Sequence, residues 1–388
     1  MSNLLQQLAT LGSAHGLPEN WLAQRSHLFS EATVTLSAAQ IAQVNNTIRA
    51  IERVVALPAY QQQALAQAPT IAQHDPGTAS VLFGYDFHLT ADGVKLIEIN
   101  TNAGGAFVTA LLHQAQTDQF ATWQQRLLEM FFTEWRMKRG EQPLQRVAIV
   151  DQDSAAQFLY PEFLILQQWL KQHNIDCVIA DPQQLSFKNQ QLCVDNLSID
   201  LVYNRLTDFM LAEPEHNVLA QAYQADAIVL TPHPHAHALY ANKNNLVLLS
   251  NATLLQQWGV ADKDIEVLLQ VVPHTVLVTP AQADNLWNAR KQLFFKPLAG
   301  HASKGTYRGS KLTRGVFDDI LRSDYVAQEF VPASEQPVGE TSLKVDLRAY
   351  VYRGEVLGFV ARLYQGQVTN MQTAGGGFAV VETSVRGV

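Results

Sequence analysis

The chain has 388 residues, 47% of them hydrophobic and 16% charged, with a formal net charge of −8 and two cysteines. That length allows a large buried core and two or three subdomains, and the acidic balance argues against a nucleic-acid-binding or polybasic membrane-contacting surface. No stretch approaches the roughly 20 apolar residues of a bilayer span, MSNLLQQLATLGSAHG lacks a signal-peptide pattern, and Cys177 and Cys193 form no CxxC pair, so a soluble, reduced, cytoplasmic protein is expected.

Residues 1–75 read as helical and rich in Ala and Gln. Ser37-Ala38-Ala39-Gln40 fits a capping box ahead of IAQVNNTIRAIERVVAL, whose apolar residues recur at helical spacing, and Pro58 ends that helix. Leu82–Gly105, LFGYDFHLTADGVKLIEINTNAGG, then reads as a β-hairpin. A three-residue loop, Ala91-Asp92-Gly93, sets Thr90 opposite Val94 and Asp86 opposite Glu98. Alternation places Asp86, Glu98 and Asn100 on one face, and Phe83, Tyr85, Phe87, Leu89, Ile97 and Ile99 on a core-directed face. Three oxygen-bearing side chains above an apolar floor suit a hard cation such as magnesium, which keeps waters for phosphate oxygens. The alternative is a half-buried hairpin with a solvated polar face. A long helix from Ala106 to Arg139 follows, stopped at Gly140.

From Pro143 the pattern changes. RVAIVDQD, DCVIADPQQL and SIDLVYNRLTDF read as buried strands separated by the amphipathic segment FLYPEFLILQQWLKQHN, a β-α-β arrangement that suggests a small doubly wound subdomain. Arg205 and Asp208 fall at the carboxyl end of the third strand, where open α/β sheets place ligands. Arg205 alone is more often a surface salt-bridge partner, since arginines outside any motif are common. His233, His235 and His237 in TPHPHAHA read as a turn into a helix near Tyr240 rather than a zinc site, since prolines flank them and no carboxylate accompanies them. Lys243 lies in the first turn of that helix.

In the last third, Leu293–Pro297 is an apolar strand ending in Lys296, followed by LAGHASKGTYRG. Its small residues, Gly300, Ser303, Gly305 and Gly309 among them, let backbone N–H groups approach an anion, and Lys304 adds charge. It is neither a Walker A loop nor a dinucleotide fingerprint. Asp324–Val331 is a strand running into a hinge. LKVDLRAYVY and VLGFVARLY form a second hairpin about Arg353-Gly354, with Asp346 and Arg348 on one face and Arg362 on the return strand, its pairing left open by the loop length. The run Gly375-Gly376-Gly377 reads as a loop passing close to a ligand.

Lys243, Lys296, the loop Gly300–Gly309, the strand-to-hinge Tyr325–Val331, Asp346-x-Arg348, Arg362, Asn370 and Glu98-x-Asn100 together resemble the ATP-grasp carboxylate–amine ligases. Glu98-x-Asn100 precedes the glycine loop here, an order similar to the circularly permuted branch that includes eukaryotic-type glutathione synthetase and glutathionylspermidine synthetase. The resemblance covers roughly residues 80–388. It implies an α/β fold with α+β subdomains, a circularly permuted ATP-grasp with a small doubly wound pre-ATP-grasp subdomain. The expected division is residues 1–140 with the helical region and metal-binding hairpin, 141–238 as the doubly wound substrate subdomain, and 239–388 with the glycine loop, adenine hinge and C-terminal sheet.

By resemblance, Lys243 and Lys296 contact the nucleotide phosphates, and the Gly300–Gly309 loop with Ser303, Lys304 and Gly305 closes over them. Gln328, Glu329, Phe330 and Val331 form the adenine hinge, with Glu329 reaching adenine or ribose. Asp86, Glu98 and Asn100 hold Mg. Arg348 and Arg362 bind the transferring phosphoryl group, Asn370 serves the acceptor side, and Arg205 is a further candidate. Gly84 stands where many relatives carry an arginine, so Arg205, Arg348 or Arg362 would substitute. Gly300-His301 stands where glutathione synthetase has an acidic metal ligand. The implied activity is an ATP- and Mg-dependent ligation of a small-molecule carboxylate and an amine, peptide-like substrates among them, with no nucleic-acid or membrane partner and a homodimer as one expected assembly. The other readings are a catalytically silent nucleotide-binding regulator and an ATP-grasp phosphotransferase.

Overall fold

The structure, a computed structural model, describes residues 3–25, 27–117, 120–298, 300, 305–370 and 372–384. Its main sheet runs in the order β1 (Phe29–Leu36), β18 (Gly377–Thr383), β17 (Glu355–Tyr364), β16 (Thr341–Tyr352), β2 (Phe83–Thr90), β3 (Gly93–Asn100), with β15 (Ser334–Val338) also paired to β16. The early acidic hairpin β2–β3 is thus hydrogen-bonded to the late strand β16, with Asp86 opposite Arg348 and Gly84 opposite Tyr350. The β16–β17 hairpin turns through Arg353 and Gly354, both at positive φ, and its register sets Asp346 opposite Arg362.

A second, antiparallel sheet has the order β11 (Thr275–Leu277), β14 (Tyr325–Glu329), β12 (Leu293–Pro297), β13 (Tyr307–Arg308). A third is wholly parallel: β10 (Val229–Thr231), β9 (Leu201–Asn204), β4 (Arg146–Val150), β5 (Asp176–Ala180). It is covered on both faces, which explains why β4 reads as an unbroken apolar run. Val147 and Ile149 pack with Phe163 and Leu166 of the helix Tyr160–Gln172, while Ala148 and Val150 pack with Leu219 of the helix Asn217–Gln224. A small sheet of β6 (Leu185–Lys188), β7 (Gln191–Val194) and β8 (Leu197–Ser198) lies between β5 and β9 in the chain.

Several expectations change. Within the stretch read as helical, Phe29–Leu36 is a strand, paired in parallel with β18; its Thr and Val residues find partners only when the far end of the chain arrives. The capping box at Ser37 forms as expected, with Gln40 N–H donating to Ser37 Oγ and Ser37 N–H to Gln40 Oε1. Pro58 also opens the following helix, Pro58–Leu65. The helix expected over 106–139 is two, Ala106–Gln116 and Phe120–Arg139, because Thr117 is extended and turns its hydroxyl back to His113 O at 2.9 Å. In TPHPHAHA the helix begins earlier than expected, at Pro234, with His233 as its N-cap.

The acidic hairpin corrects its own register. The turn has two residues, not three, with Thr90 opposite Gly93, yet Asp86 still faces Glu98 because a bulge at Ile97 absorbs the extra residue. Val94, Leu96 and Ile99 therefore take the core positions, and Ile97 turns toward the cleft described below. The glycine run near the C-terminus is explained by protein, not ligand. A Cβ on Gly376 would lie 2.3 Å from Leu363 O, and one on Gly377 2.5 Å from His27 O.

Candidate active site

The main sheet and the second sheet face each other across a cleft of about 100 Å³. One wall carries Asp86, His88, Glu98, Asn100 and Asp346, and the other Phe294, Lys296, Gln328, Glu329, Phe330 and Val331. Lys243, Gly300, Thr306 and Thr369 lie at the rim. Residues far apart in sequence that the pattern singled out are thus brought to one place.

Among the described residues, Lys296 and His88 each hydrogen-bond across from one wall to the other. Lys296 Nζ donates to Ile97 O at 2.8 Å, and to Gln328 Oε1 beside it at 2.8 Å. The first acceptor is the carbonyl of the bulged residue, so the register shift and the lysine contact are one feature. His88 Nδ1 bonds Val331 O at 2.8 Å; a carbonyl only accepts, so Nδ1 carries the proton. Burial holds the His88 imidazole below its ordinary pKa, against the pull of Asp346. His88 escaped the sequence reading, although alternation from Asp86 places it on the same face.

Behind the acidic wall lies a closed set of charges. Arg348 grips Asp86 bidentately, Nε to Oδ1 and Nη2 to Oδ2, both at 2.7 Å. Arg362 Nη2 reaches Asp86 Oδ2 at 2.7 Å and also bonds Asp346 Oδ2, which accepts from Thr369 Oγ1 at 2.8 Å. Burial pushes the Asp86 carboxyl up, but Arg348 and Arg362 outweigh it and hold it below the usual range. Asp346, with less compensation, is raised by burial despite Arg362. Gly84 makes the Arg348 grip possible: a Cβ there would stand 2.9 Å from Arg348 Nε and 2.8 Å from Ala103 Cβ. Of the three arginines expected to stand in at Gly84, Arg348 occupies the space.

Glu98 differs from Asp86. One-third of its side chain, 33%, is exposed to the cleft. It accepts from Asn100 Nδ2 at 3.2 Å, and Lys243 Nζ stays 3.9 Å away. Burial raises its carboxyl, and Lys243 and Lys296 bring it below the ordinary value. Lys296, 4% exposed, is lowered to about 8 by burial, with Glu98 opposing and Lys243 adding to the shift. Asp346 Oδ1, Gln328 Nε2 and Arg362 Nε are buried and without hydrogen-bond partners. Unsatisfied polar atoms gathered around one cleft are groups that a polar ligand would complete.

The backbone of the expected hinge is partly committed within the protein. Glu329 N–H donates to His274 O and Phe330 N–H to Gln292 O. Phe294 and Phe330 stack at 6.4 Å with 18° between planes, and Arg308 sits 4.3 Å over Phe330, giving a flat apolar surface on the cleft.

The remaining expected residues scatter. Gly300 O accepts from Lys243 Nζ at 3.4 Å, and Gly305 O accepts from Tyr325 Oη at 2.9 Å. Ser303 and Lys304 lie outside the described residues. Asn370 is exposed, and its Oδ1 accepts from Gln372 N–H at 2.9 Å, while its neighbour Thr369 reaches the cleft. Arg205 is buried away from the cleft, bonded to Asn102 Oδ1, 3.7 Å from Glu162 and 5.3 Å over the Tyr203 ring. Arg348 and Arg362 meet the cleft through the carboxylates they hold rather than lining it.

The expected magnesium ligands are unequal. Four N–H groups from Arg348, Arg362 and Asn100 fall on the Asp86 oxygens, which fills the roughly four lone-pair positions of a carboxylate. Glu98 keeps open acceptor capacity, and Asp346 Oδ1 is a buried oxygen awaiting a partner. The donor set fits a hard cation at Glu98 and Asn100 better than at Asp86.

No protein-family model and no curated protein sequence matches the chain. Among solved structures, a glutathione synthetase-like effector (GSS30) from Globodera pallida in the apo form aligns over 97% of both chains with a TM-score of 0.59 at 12% identity. A putative gamma-glutamylcysteine synthetase from Methylobacillus flagellatus KT aligns over 89% of this chain and 87% of its own, with a TM-score of 0.49 and 11% identity. The ATP-grasp ligase PsnB, solved with a minimal precursor, Mg and ADP, aligns over 61% of this chain and 88% of its own, with a TM-score of 0.33 and 15% identity. Of these three, the first bears on the architecture, and at that identity it speaks to the fold alone. The chain shares the mixed α/β fold of that glutathione synthetase-like effector.

Proposed function

We propose that the protein is an ATP- and magnesium-dependent ligase that joins a carboxylate to an amine through an acyl phosphate, on a circularly permuted ATP-grasp core. The observation that carries this reading is the cleft itself, where Lys296 and Lys243 face Glu98 and Asn100 beside a flat aromatic wall. Four cations, Lys243, Lys296, Arg348 and Arg362, balance four carboxylates, Asp86, Glu98, Glu329 and Asp346, and Lys243 and Lys296 are the cations that line the cleft, where a phosphate would meet them.

In the first step a carboxylate oxygen of the substrate bonds to the γ-phosphorus, the bridging bond to the β-phosphate breaks, and ADP leaves. The amine nitrogen then bonds to the acyl carbon, inorganic phosphate departs and a proton is lost from nitrogen. Charge crowds on the γ-phosphoryl oxygens in the first step, and fixed cations stabilise it without reorganisation. Lys296 and Lys243 supply that charge directly, and Arg348 and Arg362 hold the acidic wall in place. Phe294 and Phe330 would stack the base. Glu98 and Asn100 are the residues that would hold magnesium, which would draw charge off the transferring phosphoryl group. The acyl phosphate hydrolyses readily, so closure of the 300–309 loop against water belongs to the mechanism.

The test is ADP release with a panel of carboxylates, in the presence and absence of amino acids, γ-glutamyl peptides and polyamines. Release that depends on both a carboxylate and an amine is the expected result. No release with tight nucleotide binding marks a silent regulator, and an amine-independent phosphorylated product marks a phosphotransferase.

A further inference from the structure

We propose that His88 selects the base of the bound nucleotide: its Nε2 accepts a hydrogen bond from the amino group of a 6-aminopurine, so the cleft takes adenine nucleotides and turns away 6-oxopurines. This deepens the nucleotide-dependent reading given above and rests on it.

A hinge that reads a base through its backbone needs free N–H and C=O groups, and here several are spent. Glu329 N–H donates to His274 O and Phe330 N–H to Gln292 O, both at 2.8 Å. The Val331 carbonyl already accepts from His88 Nδ1, also at 2.8 Å. Reading the base therefore falls largely to side chains that reach the same end of the cleft.

His88 is placed to do this. It follows Asp86 by two residues on β2, so alternation puts both on one face, and it lines the cleft with Phe294, Phe330 and Val331. Its bond to Val331 O fixes the ring at the hinge, next in the chain to Phe330, whose ring stacks with Phe294. A carbonyl only accepts, so the hydrogen is on Nδ1, and Nε2 of the neutral ring keeps its lone pair. Among the described residues Nε2 has no hydrogen-bond partner, and unlike His113 Nε2 it is not sealed inside protein. On a ring that borders the cleft, an acceptor of that kind opens onto it. The flat pair Phe294 and Phe330 then holds the plane of the base, and the imidazole meets its edge.

The selectivity follows from one atom. At position 6 adenine carries an amino group that donates, whereas hypoxanthine and guanine carry a carbonyl that accepts. Facing His88 Nε2, the first makes a hydrogen bond. The second sets two acceptors against each other with neither satisfied, and that costs binding free energy.

Titration calorimetry of the full chain with ADP and, separately, inosine diphosphate, with magnesium at pH 7.5, tests this. An imidazole of ordinary pKa, about 6.5, is mostly neutral there. Wild type should bind ADP more tightly by about tenfold or more. His88→Phe keeps a ring but removes both nitrogens; it should weaken ADP and bring the two affinities to within about threefold. His88→Gln, whose terminal amide can turn either its oxygen or its nitrogen to the base, should also bind both within about threefold. A residue that merely fastened the hinge would, when replaced, weaken both nucleotides alike and leave their ratio unchanged. The proposal is overturned if both variants keep the wild-type ratio, or if wild type itself binds the two within threefold; in either case ADP still binds and the nucleotide reading stands. If neither nucleotide binds wild type, that reading falls and the assignment of His88 falls with it.

Discussion

On the main sheet, Asp86 and Asp346 sit at mid-strand and meet Arg348 and Arg362 from adjoining strands. On the parallel sheet, Asp151, Asp208 and Glu213 lie beyond the strand ends, where Arg205 has turned away to Asn102 and Glu162. The first cluster has its mid-strand charges closed by register, with Glu98, Glu329, Lys243 and Lys296 facing the cleft. The second is left with carboxylates and a buried imidazole. Register pairs a mid-strand charge with whatever the neighbouring strand presents, whereas a strand-end charge is free to await a ligand.

The sharpest way to break this comparison is to remove the cleft-facing groups of the first site. Glu98→Gln and Lys296→Ala should each lower ADP release by about 10²–10³-fold or more while leaving a cooperative thermal transition; near-normal turnover in either would unseat the site. Removing a paired group should instead read out as stability. Arg348→Ala leaves Asp86 buried with only part of its compensation, and urea denaturation should show a loss of about 3–5 kcal/mol. A loss under 1 kcal/mol would mean that the arginine grip is not what keeps Asp86 ionised.

Lys296 gives a pH test with two signs. Its folded pKa, about 8, lies below the ordinary 10.5, so between those values the unfolded chain binds more protons. The contribution of this group to stability therefore rises from pH 8 to 10.5, because the cost of burying the charge is lifted. Nucleotide affinity should move the other way, falling by up to about tenfold per pH unit above 8 as the ammonium is lost. Titration calorimetry in two pH buffers would show the matching proton uptake, and pH-independent affinity would count against Lys296. The smallest effect belongs to the second cluster: Glu213→Gln, exposed, should change stability by no more than about 0.5 kcal/mol in urea denaturation.

Much of this was legible. Alternation along β2 and β3 placed Asp86, Glu98 and Asn100 together, and the apolar runs placed β4, β5 and β9. What was hidden depended on contacts between distant segments. β1 has no partner until β18 arrives, so its strand character competed with the helices around it. The two-residue turn and the bulge at Ile97 cancel, which let a wrong loop length give the right facing pair. Gly375–Gly377 looked like ligand chemistry because a glycine run signals close approach but not what is approached, here the backbone at His27 and Leu363. The hold of Arg348 on Asp86 required knowing that β16 lies beside β2.

The bulged carbonyl of Ile97 has one further consequence. An ammonium has three hydrogens to give, and at Lys296 two point to Ile97 O and Gln328 Oε1. A phosphate oxygen reaching the third would make one nitrogen the rivet of ligand, early hairpin and late strand together. Cargo would then be clamped by the same atom that fastens the jaws, so the loaded protein should resist amide exchange along β3 and β12 more strongly than the empty one.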